Sequence, residues 1–289
     1  MKTNFQKYYP IFFIAILFVI NIFIWSVVLR DEKTKELTVA FLDVGAGDSI
    51  YIEAPNGNKM LIDGGPDRSV VRELSEIIPF YERTIDVVLA THPDKDHIGG
   101  LVDVLKNYET KMILTTGATS TTEIDKAFGK AIIDEEKFGA KNILVKRGSV
   151  VNLSEDVSFT VLYPVSVNPK GSTNDTSIVG MLTYRKQSFL LTGDAPQKVE
   201  RYLVSVDGKK LKAQVLKIGH HGSKTSSSEV FIGSVSPDYA IISTAKKNRY
   251  GHPNKEVINL LKKYNIPTLA TYDEGKIIFK TDGETLTHN

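Results

Sequence analysis

Three apolar runs in this chain each stop at a turn bearing aspartate or histidine: "VVLATHPDKDHIGG" (residues 87–100), "FLLTGD" (189–194) and "VLKIGHHGS" (215–223). Runs this short, bounded by turn residues, read as buried strands. If their polar tips are to meet, the strands must end at one edge of the fold, and few architectures allow that. Strands are expected at 37–42, 49–54, 59–62, 85–90, 142–145, 157–163, 177–184, 188–192, 213–218, 239–243 and 277–280. Helical periodicity covers 69–78, 100–108, 196–204 and 254–264. Asn56-Gly57-Asn58 is a hairpin turn. Strands alternate with helices while hairpins recur in both halves, which predicts an α/β body of sheets covered by helices rather than one doubly wound sheet. Residues 37–289 are expected to form one domain.

Residues 1–36 differ from the rest. Residues 11–29 are apolar except for Asn21 and Ser26, with Lys2 and Lys7 before them and Arg30-Asp31-Glu32-Lys33 after. That matches the ~20 residues a helix needs to cross a bilayer. A cleaved signal peptide has a shorter apolar core and a small-x-small site, and a buried core helix would not be apolar on every face. The reading is therefore a membrane anchor through residues 11–29, then a linker at 31–36. With the lysines kept inside, the body lies outside the cytoplasm.

The chain has no cysteine, so any metal must be held by nitrogen and oxygen. Its net charge of +2 signals no polyanion binder, but the charge is unevenly spread. Residues 31–140 carry 12 basic and 21 acidic side chains, and residues 209–263 carry 11 basic and 3 acidic. This suggests a metal-collecting part and an anion-facing part, or two solvated faces.

The loop "THPDKDHIGG" places His92, Asp94, Asp96 and His97 within six residues after a strand. Imidazole suits zinc and similar ions, while carboxylates shift the preference toward manganese or magnesium. Asp194 ends another apolar run, where it is either a metal ligand or a helix cap before Pro196. His220 and His221 end a third. Together these positions supply what a two-metal site needs.

"FLDVGAGDSI", "LIDGG", "THPDKDHIGGL", "NDTSIV", "LLTGD", "LKIGHHGS" and "YGHP" follow in this order across residues 41–253. In that order they closely resemble the metallo-β-lactamase-like domain of the ComEC competence proteins. The resemblance implies a four-layer αβ/βα sandwich, here preceded by one transmembrane helix, with a metal site where strands of both halves end. It implies that His92 and Asp94 hold one divalent ion and Asp96 and His97 a second, with Asp194 bridging. His221, with His220 close behind, closes the second shell. Asp94 stands where the wider superfamily has a second histidine, and Asn174-Asp175 where it has a third histidine motif, so Asp175 is a candidate helper at the first ion. Asp43 and Asp63 resemble supporting positions.

Two divalent cations (zinc or manganese) ~3.5–4 Å apart activate water and clamp an in-line displacement, for which a phosphodiester is the natural substrate. Asp96 and His252 are the candidate catalytic side chains, and His252 reads either as a phosphate contact or proton donor or as a residue at the start of the following helix. Ser223 is expected to contact phosphate or to close its turn. Lys217, Lys224, Lys246, Lys247 and Arg249 form the expected polyanion-facing set. The primary expectation is thus a membrane-anchored hydrolase of DNA, related to competence, that either assists a separate DNA channel or scavenges nucleic acid at the surface. The alternatives are a hydrolase of a small ester, such as a phosphocholine headgroup or cyclic nucleotide, and a non-catalytic DNA-binding subunit.

Overall fold

The computed structural model describes residues 5–30, 36–168 and 171–289, so most of the expected linker, residues 31–35, lies outside the described residues. Two compact units divide the chain, Met1–Lys35 and Glu36–Asn289. In the first, α1 (Phe5–Arg30) is one helix. Its segment Tyr8–Trp25 has a mean hydropathy of 2.2 and buries nothing within the protein, so α1 is long and apolar enough to cross a membrane.

The second unit contains two sheets. In chain order the strands of the first are β1 (Leu37–Phe41), β2 (Ile50–Glu53), β3 (Lys59–Ile62), β4 (Thr84–Leu89), β5 (Glu109–Thr115) and β6 (Lys141–Leu144). Those of the second are β7 (Val150–Asn152), β8 (Val157–Tyr163), β9 (Val179–Tyr184), β10 (Gln187–Leu191), β11 (Val215–Lys217), β12 (Tyr239–Ile242) and β13 (Thr268–Ala270). β14 (Ile277–Thr281) and β15 (Leu286–His288) return to the first sheet. The spatial orders are β15-β14-β1-β2-β3-β4-β5-β6 and β13-β12-β11-β10-β9-β8-β7.

Helices α2 (Ser69–Ser75), α3 (Lys95–Ile98), α4 (Leu101–Asn107) and α5 (Glu123–Lys137) belong to the first half. Helices α6 (Gln197–Asp207), α7 (Glu229–Val235), α8 (Lys255–Lys263) and α9 (Thr271–Glu274) belong to the second.

Side chains alternate across each strand, and the alternation sorts the core into three slabs. Val39 and Phe41 of β1, Phe189 and Leu191 of β10, and Ile241 of β12 meet between the sheets. Ala40 and Leu42 face outward, with Leu74 of α2, Leu101 of α4 and Phe128 of α5. On the other side Leu190, Leu216 and Ile242 pack with Leu203, Ile232 and Leu261 of α6, α7 and α8. Three slabs between four layers make the expected αβ/βα sandwich.

β3 and β4 run parallel in one sheet, as do β10, β11 and β12 in the other. Parallel neighbours finish at the same end, which is where α/β sheets present their ligands. The polar tips after β3, β4, β10 and β11 accordingly come together.

Candidate metal centre

Pro93 cannot continue a strand, and after it the chain turns into α3 with Asp94 at the cap position. This places His92 before the turn and Asp96 and His97 within it. Gly47 lets the preceding loop lie against the same turn, since a Cβ there would fall 2.3 Å from the Asp96 carbonyl oxygen. At the end of β11, His220 and His221 adopt φ of 49° and 54°, a region that costs non-glycine residues energy and persists where surroundings enforce it. Gly222 follows at φ 83°, where a Cβ would lie 2.6 Å from that of Pro253.

Three histidines have one ring nitrogen fixed by the protein. Thr91 gives its hydroxyl proton to Asp63 (2.7 Å), so the same oxygen accepts from His92 Nδ1 (3.0 Å). His97 Nδ1 donates to Asp63 Oδ2 (2.7 Å), and His221 Nδ1 donates to the carbonyl of Ser243 (2.9 Å). In each case Nε2 is the nitrogen left for another partner, and all three Nε2 atoms are buried without a hydrogen-bond partner, as is Asp194 Oδ1.

Those atoms converge. Asp194 Oδ1 is 3.4 Å from His97 Nε2, and Oδ2 is 3.9 Å from His92 Nε2, 3.7 Å from His220 Nε2 and 3.6 Å from His221 Nε2. Asp94 Oδ2 lies 3.6 Å from His92 Nε2, and Asp96 Oδ2 lies 3.4 Å from His221 Nε2. His92, His97 and Asp194 offer ligand atoms all within 4.8 Å of one another, as do Asp96, His97 and His221. Buried polar atoms are normally paired, and imidazoles held by a second hydrogen bond are the usual form of a metal ligand. The histidine and aspartate clusters therefore fit divalent metal binding.

The electrostatics agree. Burial pushes the Asp194 carboxyl up, but His221, His97 and His92 hold it well below the usual carboxylate range. Asp96, also opposed by burial, is held low by His221 and His97. Burial pushes His221 down, yet Asp194 and Asp48 raise it to about 10. Such a centre is an ionised carboxylate nest that collects positive charge.

Other sequence candidates are placed as follows. Asp63 is wholly buried and receives Thr91 and His97. Asp43 only closes its turn, accepting from the Gly45 N–H at 3.3 Å. Asn174 Nδ2 is 3.3 Å from His220 Nδ1. Asp175 departs from the expected helper role at an ion: its carboxylate caps Ser172 and pairs with Lys198 at 2.5 Å. Asp194 caps no helix, for Pro196 holds the cap position of α6. Ser223 shares hydroxyl contacts with Thr225 and is buried, closing its turn. His252 is half-buried, 5.6 Å from His220 between ring centroids, and His220 and His221 add to burial in lowering its pKa. Lys224, Lys247 and Arg249 are exposed, and Lys246, also exposed, pairs with Asp273.

Lys217 departs most from expectation. It is fully buried at the end of β11 and pairs with Asp48, so it cannot meet a polyanion. Asp48, which the sequence reading passed over, also lies 3.3 Å from His221 Nδ1. Beside His92 a cleft of about 450 Å³ is lined by residues 115–120, by Asp125 and Lys126, and by apolar side chains among which Phe128 is the aromatic one.

A model of the metallo-beta-lactamase superfamily matches residues 42–246. Among curated proteins, ComE operon protein 3 of Bacillus subtilis (strain 168) is 35% identical over 86% of this chain and 33% of its own length. Recombination protein 2 of Haemophilus influenzae is 32% identical over 82% of this chain and 28% of its own length. The chain thus spans a third or less of these relatives. Among solved structures, Igni18, a metallo hydrolase of Ignicoccus hospitalis, superposes with a TM-score of 0.53 at 11% identity, covering 84% of this chain and 98% of that one. That last likeness concerns the fold.

Proposed function

The chain belongs to the metallo-β-lactamase superfamily, and from that premise we propose that it is a metal-dependent phosphodiesterase that cleaves DNA. The observation that carries the reading is the convergence of three partnerless Nε2 atoms on the buried Asp194 carboxylate. In this proposal His92 and Asp94 serve one cation, Asp96, His97 and His221 the other, and Asp194 both, with His220 beside them. Bound there, two divalent ions supply Lewis acidity that activates water near neutral pH and neutralises charge on a phosphoryl centre. Three carboxylates among the imidazoles shift the preference toward manganese, with zinc the competing ion.

The remaining groups bind and orient. Lys224, Lys246, Lys247 and Arg249 are exposed on the segments that follow His221 and β12, and would track a phosphate backbone. His252 would donate to the scissile phosphate or the leaving oxygen. The cleft beside His92 is not a closed aromatic cage, which favours a polymer over a choline-type headgroup. We further propose that α1 anchors the protein in the membrane with its body outside the cytoplasm, where it would assist a separate DNA channel or scavenge nucleic acid.

The test is incubation of the purified full chain in detergent with single- and double-stranded DNA under manganese, magnesium or zinc, beside Asp96→Ala. Metal-dependent cleavage that Asp96→Ala abolishes is expected. Equal cleavage by both proteins, or turnover of a phosphocholine ester with DNA left intact, would refute the nuclease reading.

A further inference from the structure

The loop between β12 and α8 carries a device that the metal chemistry leaves unused. Asn248 fastens it from within: its amide nitrogen donates to the carbonyls of Ala245 (2.9 Å) and His252 (2.6 Å). Its side-chain oxygen accepts from the N–H groups of Tyr250 (3.2 Å) and His252 (3.0 Å). Held this way, the Tyr250 ring stacks on His252 with centroids 5.7 Å apart and planes 17° from parallel. The Arg249 guanidinium carbon lies over the Tyr250 ring, 4.6 Å from its centroid, and the guanidinium reaches the phenol oxygen. Tyr250 nevertheless remains 55% exposed.

These rings continue into the centre. His252 is 5.6 Å from His220, and His220 is 6.1 Å from His221. Four rings therefore step outward from the Asp194 cluster to an exposed aromatic edged by a cation. A tyrosine serving the core would be buried. This one is held by its neighbour's backbone bonds with more than half its surface in solvent, two ring contacts out from His220.

We propose that Tyr250, with Arg249, is a stacking platform for an unpaired base of single-stranded DNA adjoining the phosphate cut at the metal centre. An aromatic face accepts any base, because every base has a π-face, and the guanidinium that lies over the ring turns aside to the neighbouring phosphate as the base takes its place. A base held in a duplex stack cannot lie on the platform, so it selects single strands or frayed ends without selecting sequence. The inference rests on the nuclease reading and gives that site its strand preference.

The test compares the full chain with Tyr250→Ala and Tyr250→Trp under manganese. On a mixed-sequence single-stranded oligonucleotide, Tyr250→Ala should raise KM by roughly tenfold or more, with kcat changed far less. Tyr250→Trp should restore it. With 2-aminopurine in the oligonucleotide and turnover blocked by Asp96→Ala, fluorescence quenching on binding should vanish when Tyr250→Ala is added and return with Tyr250→Trp. Unchanged KM and quenching in Tyr250→Ala, a Tyr250→Trp variant that rescues neither, or an equal loss on duplex DNA would overturn the platform while leaving the nuclease reading intact. If wild type hydrolyses bis(p-nitrophenyl) phosphate but neither binds nor cuts DNA, the nuclease reading itself fails and the platform with it.

Discussion

Lys217→Met is the substitution whose consequence the structure bounds most closely. Methionine keeps most of the volume of the lysine stem, so the change removes the charge while leaving little cavity. Lys217 and Asp48 are fully buried together, and removing one member of a buried pair strands the other, at about 3–5 kcal/mol. For a domain of this size 1 kcal/mol corresponds to about 2–4 °C, so the expected fall in Tm is about 6–20 °C. Burial pushes the Asp48 carboxyl up, but Lys217 and then His221 and His97 bring it below the ordinary range. In the wild type Asp48 therefore contributes stability above the carboxylate pKa of ~3.9, and loses it as pH falls through its lower folded value. Without Lys217 burial dominates and the folded pKa rises. The stability gap between the two proteins should then be widest near pH 7 and narrow toward pH 4, as the stranded carboxylate takes a proton. The assay is thermal and urea denaturation of both full chains in detergent with excess chelator, at several pH values, beside the double variant Asp48→Asn/Lys217→Met, which should recover most of the loss. A Lys217→Met protein within 2 °C of wild type at pH 7, where about 6–20 °C is expected, or a gap that grows on acidification, would refute the reasoning.

Three further outcomes are expected. Asp63→Asn turns one of two accepting oxygens into an NH2 donor, so the Thr91 N–H, the Thr91 hydroxyl and His97 can no longer all be received, and manganese affinity measured by calorimetry should fall by roughly 10- to 100-fold. Because His221 is pushed up to about 10 in the carboxylate nest, it carries a proton at pH 7 until a cation displaces it. Metal binding should therefore release protons and tighten as pH rises, which calorimetry in buffers of different ionisation enthalpy reads directly; binding without proton release would contradict the assignment. Gly47→Ala places a methyl 2.3 Å from the Asp96 carbonyl oxygen, so the loops must part. About 1–3 kcal/mol should be lost in urea denaturation, along with metal affinity.

What the sequence made legible, and what it hid, follows from the range of the interactions involved. The central strands were readable because each is a continuous apolar run buried on both faces, and the histidine and aspartate tips were readable because each sits beside such a run. By contrast, α5 fully buries only Phe128 and Ile132, with Ile124 and Ala131 partly covered and Ile133 exposed among charged residues, too irregular a stripe to stand out, and the stretch is unassigned by sequence alone. The three-residue strands β13 and β15 exist because a neighbour supplies their hydrogen bonds, which no local pattern encodes. The choice between Asp43 and Asp48 shows the limit most clearly. Both lie in one glycine turn, and only the backbone path through Gly45 at φ 79° decides which carboxylate points to the histidines. Lys217 failed for the same reason. Its charge suggested an outward, anion-facing side chain, but its place in β11 turns it inward to an aspartate 169 residues earlier in the chain. A charge count along the chain cannot separate a lysine that meets substrate from one that neutralises a support. The separation needs the fold, and under the proposed function it leaves the basic contribution to substrate binding with Lys224 and the loop that carries Lys246, Lys247 and Arg249.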